Sequence, residues 1–301
     1  MSEQANSPTG LIIINKDEGI SSQAVVNRVK RLLGAQKAGH TGTLDPKATG
    51  VLPVLLGRAV KASEFMLCAD KHYGATLLLG ITTDTEDITG KVLSECNAVP
   101  NEEKVRAAVN RMIGKIRQTP PMYSALKVGG KKLYELARSG VEVERKPREI
   151  MVYDIRTERL GDREYYLEVT CSAGTYIRTL CADIGASLGC GGVMKTLTRL
   201  TASGYPLSAA HTLTELEEMT ESERLSLIIP TEDIFKKHPA VILPDFFARL
   251  ARSGLEIYQA KIKTDFPTGS LVRLSDKNGF FALGEVREYE AGSAIKPIRQ
   301  F

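Results

Sequence analysis

The 301 residues are 43% hydrophobic and 25% charged, an ordinary globular composition with length for one large domain and a small one. Five cysteines, none spaced C-x-x-C, exclude a zinc knuckle or a disulfide framework and fit a reducing cytosol, and no apolar run reaches the ~18 residues of a membrane span. The net charge of +4 is uneven: residues 115–148 carry nine Lys and Arg against three Glu, and residues 211–235 carry seven acids against one Arg, a distribution that suits a nucleic-acid contact as well as two solvated faces.

GLIIINK (10–16) reads as a β-branched strand, and DEGISS after it supplies a turn with Ser21 or Ser22 placed to cap a helix. Val25, Val26, Val29, Leu32 and Leu33 recur at helical spacing up to Gly34. KAGHTGTLDPKATGVLPVLLG (37–57) reads as neither helix nor strand, and a helix is expected from about Ala59 to Cys68. HYGATLLLG (72–80) alternates as a strand; TTDTEDITG turns, and KVLSE is a further strand. The pattern then predicts a helix capped by Asn101, with Val105, Val109, Met112 and Ile113 buried and Gly114 as its stop. TPPMYSALKVGGKKLYELARSG reads as a long functional loop with one short helix after Gly130. Two strands, IMVYDIRTERL and REYYLEVTCSAG, lead into a helix with Ile177, Leu180, Cys181, Ile184 and Leu188 on one face, followed by the strand VMKTLTRLTASGYPL. The acidic stretch from Glu215 to Glu223 is a solvated helix, and HPAVILP (238–244) reads as a linker. Beyond it, two β-rich runs flank Asn278-Gly279, a strong hairpin signal, in a small closing β unit.

A lone Asp in a loop is usually a turn residue. Asp45 has unusual neighbours: Pro46 offers no amide, and the two glycines of GHTG allow backbone shapes that fit a carboxylate held rigidly in a cleft. HTGTLD provides one imidazole and one carboxylate, which is poor for a metal, and the run lacks the Gly-Lys-Ser/Thr ending of a phosphate loop. A nucleophilic or general-base aspartate remains.

GHTGTLDPKATGVLPVLLGRAVK, KHYGATLLLGITTDTEDITG, TPPMYSALKVGGKKLYELARSG, CSAGTYIRTLCADIGASLG and MKTLTRLTASGY, in that order between Gly10 and about Phe235, resemble the bacterial TruB-type tRNA pseudouridine synthases. The resemblance implies a mixed α/β (α+β) fold with a largely antiparallel-sheet catalytic domain over residues 1–237, an RNA-clamping insertion at about 115–149, and a PUA-like RNA-binding domain over 240–301. It implies isomerisation of uridine 55 in the tRNA T-loop, without cofactor, metal or guide RNA, by a cytoplasmic monomer that contacts the T-arm and acceptor stem. Asp45 falls on the family's essential aspartate, which attacks the ribose C1′ or the base, or assists a glycal route. Arg178 matches the arginine that pairs with it and would keep it ionised, and Tyr73 the active-site tyrosine. Tyr176 and Leu197 match residues lining the pocket, and His40 a histidine placed where the target base is extruded. Lys16 is expected on the RNA backbone or a phosphate, and Lys127, Lys131, Lys132 and Arg138 are phosphate candidates.

Two rivals stand beside this reading. A hydrolase with an aspartate nucleophile would need a second carboxylate linked to Asp45. An RNA chaperone would use the basic segment but would have no use for Asp45 with Arg178.

Overall fold

A computed structural model describes residues 7–301, apart from Val99, Ala125 and the side chains of Lys127 and Lys132. The chain opens with β1 (Gly10–Lys16) and α1 (Ser22–Leu32), whose N-cap Ser21 accepts the Ala24 N–H. Then come β2 (Ala38–His40) and β3 (Thr49–Leu56), where the sequence predicts only loop. The signal is hidden because β3 contains Pro53 and, as its second residue, Gly50, whose φ is +97°. Pro53 is tolerated because it lies between the stretch of β3 that pairs with its parallel neighbour and the stretch that pairs with β2; its carbonyl accepts the Thr41 N–H at 3.2 Å.

A short 3-10 turn and α2 (Ser63–Leu67) lead into the central strand β4 (Lys71–Leu79) and the small pair β5 (Ile81–Thr83) and β6 (Val92–Glu95). Next is α3 (Glu102–Asn110), with Asn101 capping the Lys104 N–H as expected. It stops four residues before Gly114, which instead opens the edge strand β7 (Gly114–Gln118), and Ile113 is exposed. The hairpin β8 (Lys127–Val128) and β9 (Lys131–Lys132) and the short α4 (Leu133–Arg138) occupy the basic segment. The long antiparallel pair β10 (Arg148–Arg159) and β11 (Glu164–Cys171) precedes α5 (Ile177–Ser187) and β12 (Gly192–Ala202).

These strands form one sheet in the order β1-β3-β12-β4-β11-β10-β7, antiparallel throughout except for a two-residue parallel contact of β3 with β12. Alternate residues of β4, β11 and β12 join α1, α3 and α5 in the main core, from Val25 and Val29 through Leu77 and Leu167 to Leu180 and Ile184. The acidic stretch forms α6 (Leu213–Glu218) and α7 (Glu221–Ser226), each closed by a capping box, after the short β13 (Tyr205–Pro206).

The supposed linker is structural. Within it, β14 (Ala240–Ile242) pairs in parallel with β16 (Leu271–Asp276) in a second, five-stranded sheet. The rest of that sheet is β15 (Ile257–Tyr258), β17 (Gly279–Tyr289) and β18 (Gly292–Gln300); the hairpin turn falls at Lys277-Asn278, one residue before the expected Asn278-Gly279, with Gly279 opening β17 at a φ of +101°. This unit is not all β: α8 (Asp245–Arg252) and α9 (Gln259–Ile262) pack with its sheet, Ala248 and Ala251 entering its core. Phe235 joins the two halves. Its ring lies 5.4 Å from Phe65 of the first and 5.4 Å and 6.0 Å from Phe301 and Phe280 of the second.

Candidate active site

The loop from Thr41 to Ala48 carries Asp45 and is pinned on several sides. From α1, the buried Ser22 hydroxyl accepts the Leu44 N–H at 2.8 Å and donates to the Leu44 carbonyl at 2.9 Å. From the turn after β1, the Gly19 N–H and the Lys16 ammonium donate to the Pro46 carbonyl at 2.8 Å and 3.1 Å. With both of its neighbours fixed, Asp45 has little backbone freedom. Its side chain remains 39% exposed.

Arg178 enters from the first turn of α5. Its Nε lies 3.0 Å from Asp45 Oδ2, while its two terminal nitrogens donate to the Tyr123 carbonyl at 2.7 Å and the Thr85 carbonyl at 3.1 Å; Asp87 Oδ2 is 3.9 Å away. The guanidinium is thus aimed by two backbone acceptors before it meets the carboxylate, which fixes the fork. Burial pushes the Asp45 carboxyl above its ordinary range, and the pull of Arg178 only partly offsets this. The sequence expectation that the arginine holds Asp45 ionised therefore captures one of two opposing effects, and burial is the larger.

Tyr73 of β4 is buried, faces Arg199 of β12 in the sheet register, and is kept a neutral phenol because burial raises its pKa. Leu197 stands beside it, its β12 backbone in register with Ala75 of β4. Tyr176 is the N-cap of α5, its N–H and carbonyl bracketed by the buried Gln118 amide at 2.8 Å and 3.0 Å. His40, at the end of β2, has a buried Nδ1 without a partner, and burial followed by the Arg199 charge lowers its pKa, favouring the neutral ring.

Lys16 is a correction. It is fully buried, and its ammonium donates to the carbonyls of Asp17, Ile20 and Pro46, so it secures the Asp45 loop from within and does not present itself to a phosphate. Its pKa falls to about 8, chiefly through burial. Of the basic candidates, Lys131 is exposed, and Arg138 lies with its guanidinium 5.6 Å from the Tyr134 ring centroid; the side chains of Lys127 and Lys132 lie outside the described residues.

Sequence reasoning passed over Arg199, Gln118 and Asp87. The signal for Arg199 was a charge at the same strand face as Leu197, two residues before it. Behind α5, Thr179 donates to Glu86 at 2.5 Å, and the pKa of Asp183 rises to about 6 through burial and then the Glu86 charge. No three His, Cys, Asp or Glu side chains among the described residues converge on a metal-sized site.

A part-exposed, arginine-paired aspartate beside a buried tyrosine is the arrangement of an enzyme site built for covalent or acid–base work. Residues 30–177 match the model of the TruB family pseudouridylate synthase N-terminal domain, and residues 178–236 that of the tRNA pseudouridylate synthase B C-terminal domain. A tRNA pseudouridine synthase B from Methylobacillus flagellatus is 42% identical over 92% of this chain and 90% of its own length. One from Alkaliphilus oremlandii is 41% identical over 92% and 93%. Among solved structures, a Cbf5-Nop10-Gar1 complex contains a chain 26% identical that aligns with a TM-score of 0.72 over 100% of this chain and 90% of that one. The chain belongs to the TruB family of tRNA pseudouridine synthases, and it is an isomerase that forms pseudouridine in tRNA.

Proposed function

We propose that the protein converts uridine 55 of the tRNA T-loop to pseudouridine, with Asp45 as nucleophile. The observation that carries this is the 3.0 Å ion pair of the solvent-reachable Asp45 with the buried Arg178. In the isomerisation the N1–C1′ glycosidic bond breaks, the uracil turns, and a C5–C1′ bond forms; the C5 proton leaves and N1 takes one, so nothing is oxidised or reduced. Asp45 attacks, Arg178 aims it, and Tyr73 lies under the extruded base with Leu197 and Tyr176 along the pocket wall. Flipping that base costs a few kcal/mol, which His40 offsets by filling the vacated stack.

Residues 1–237 perform the chemistry, with about 115–149 gripping the T-arm and residues 240–301 touching the acceptor stem. The enzyme acts as a monomer in the cytoplasm without guide RNA; support comes from relatives that are named for tRNA and align over nearly their whole length. Incubation with an unmodified tRNA transcript, followed by pseudouridine mapping, tests the reading. Product at position 55 that disappears with Asp45→Asn is expected; product elsewhere, or none, overturns it.

A further inference from the structure

We propose that Arg199 is a positioning residue that locks the Asp45 loop and Tyr73 into one rigid unit, a role that rests on the reading of Asp45 as the nucleophile. Arg199 is 1% exposed, and it is among the largest fully buried side chains of the chain. Its Nε donates to the Val51 carbonyl at 2.7 Å and one terminal nitrogen donates to the Gly42 carbonyl at 3.1 Å. Those two carbonyls bracket Asp45 on its two sides, so a single planar fork ties together both ends of the catalytic loop. Across the sheet, Arg199 of β12 is the register partner of Tyr73 of β4, so the residue that ties the loop also stands against the tyrosine's strand position.

The sheet is shaped to allow this. The parallel contact of β12 with β3 consists only of Thr198 with Thr49 and Arg199 with Gly50, so the Val51 carbonyl just beyond it is free for the guanidinium. Register shifts interrupt the β12 ladder on both sides of the stretch, between Met194 and Thr196 and between Arg199 and Thr201. Bulges of this kind re-aim a side chain. Gly50 lets the loop close onto the strand: a Cβ there would stand 2.3 Å from the Arg199 carbonyl oxygen. A buried cation held by backbone acceptors, with no ion pair within 4.0 Å among the described residues, is costly for stability alone, and that cost fits a role in placing reactive groups.

The test compares wild type, Arg199→Gln, Arg199→Lys and Asp45→Asn on unmodified tRNA, with melting curves and NMR titration of the four histidines. Arg199→Gln is expected to lower kcat by about 100-fold with KM for tRNA nearly unchanged, because displaced reacting groups lose rate more than binding. It also raises the His40 pKa, since the neighbouring positive charge is gone. Arg199→Lys restores the low His40 pKa but not kcat, because an ammonium cannot span both loop ends. A folded Arg199→Gln with kcat within about threefold of wild type overturns the proposal. If Arg199→Gln does not fold, Arg199→Lys decides: full activity overturns the role, and low kcat at wild-type melting temperature and KM supports it. If neither folds, Arg199 is a global stability element and the positioning role falls. Activity surviving in Asp45→Asn sinks the nucleophile reading instead, whatever Arg199 does.

Discussion

The Asp45 loop and the basic hairpin segment are built in opposite ways, the first tied down by buried side chains and the second made of short surface elements. The loop is held by Ser22, Lys16, Gly19 and Arg199, three of whose side chains are almost wholly buried. The segment after Gln118 has two-residue strands, a six-residue helix, and an exposed stretch from 139 to 144 without regular structure. Chemistry demands placement to a fraction of an ångström, whereas a phosphate grip tolerates adjustment. The two regions still communicate, because the Tyr123 carbonyl at the root of the segment accepts a hydrogen bond from Arg178.

The sharpest way to break this contrast is Asp45→Asn, which keeps the shape and removes the anion. Turnover is expected to fall by at least about 1,000-fold while tRNA binding persists. The same variant raises the melting temperature at neutral pH: burial lifts the folded-state pKa of Asp45, so its ionisation costs stability above that pKa, and the gain fades as pH falls below it. A lower melting temperature at pH 7 would contradict the sign. Arg178→Lys comes next, with about a 100-fold loss of kcat, since a lysine cannot hold Thr85, Tyr123 and Asp45 together.

Replacing Lys131 and Arg138 by alanine probes the other region. KM for tRNA rises, kcat on saturating RNA holds, and the slope of log affinity against log salt flattens by roughly 1–2. An unchanged slope would make the segment a bystander. The smallest effect belongs to Asp183→Asn behind α5. The folded-state pKa of Asp183 is about 6, against an ordinary 3.8, so its charge costs stability above pH 6 and nothing below pH 4. The variant should melt higher by on the order of 2 °C at pH 8 and match wild type near pH 4.

Elements with a single clear period were legible in the sequence. The face of α1, the cap of α3, the β10–β11 pair, α5 and, to within one residue, the hairpin turn before β17 all follow from local pattern. Where distant partners decide, pattern was silent. The β3 strand is stabilised by β1 and β2 on its two sides despite Pro53, β7 exists because β10 offers a free edge, and β14 because β16 does. At the site, Asp45 stood out by its glycines and its proline, and its meeting with Arg178 followed from family resemblance. Arg199 was missed because an arginine in an alternating strand looks solvated until the tertiary gap it fills is seen.

The cluster of Phe65, Phe235, Phe280 and Phe301 couples the two sheets through a shared apolar seam, reinforced by Arg273 with Glu232 at 2.7 Å and by Lys61 reaching the Gln300 carbonyl at 2.9 Å. Cutting the chain after His238 would uncover Phe65 and Phe235, so the first unit is not expected to survive as a clean fragment. Heat should not peel the units apart either. With a common seam in place of a tether, calorimetry should record one endotherm, its calorimetric and van't Hoff enthalpies in agreement, and Phe235→Ala should split it into two.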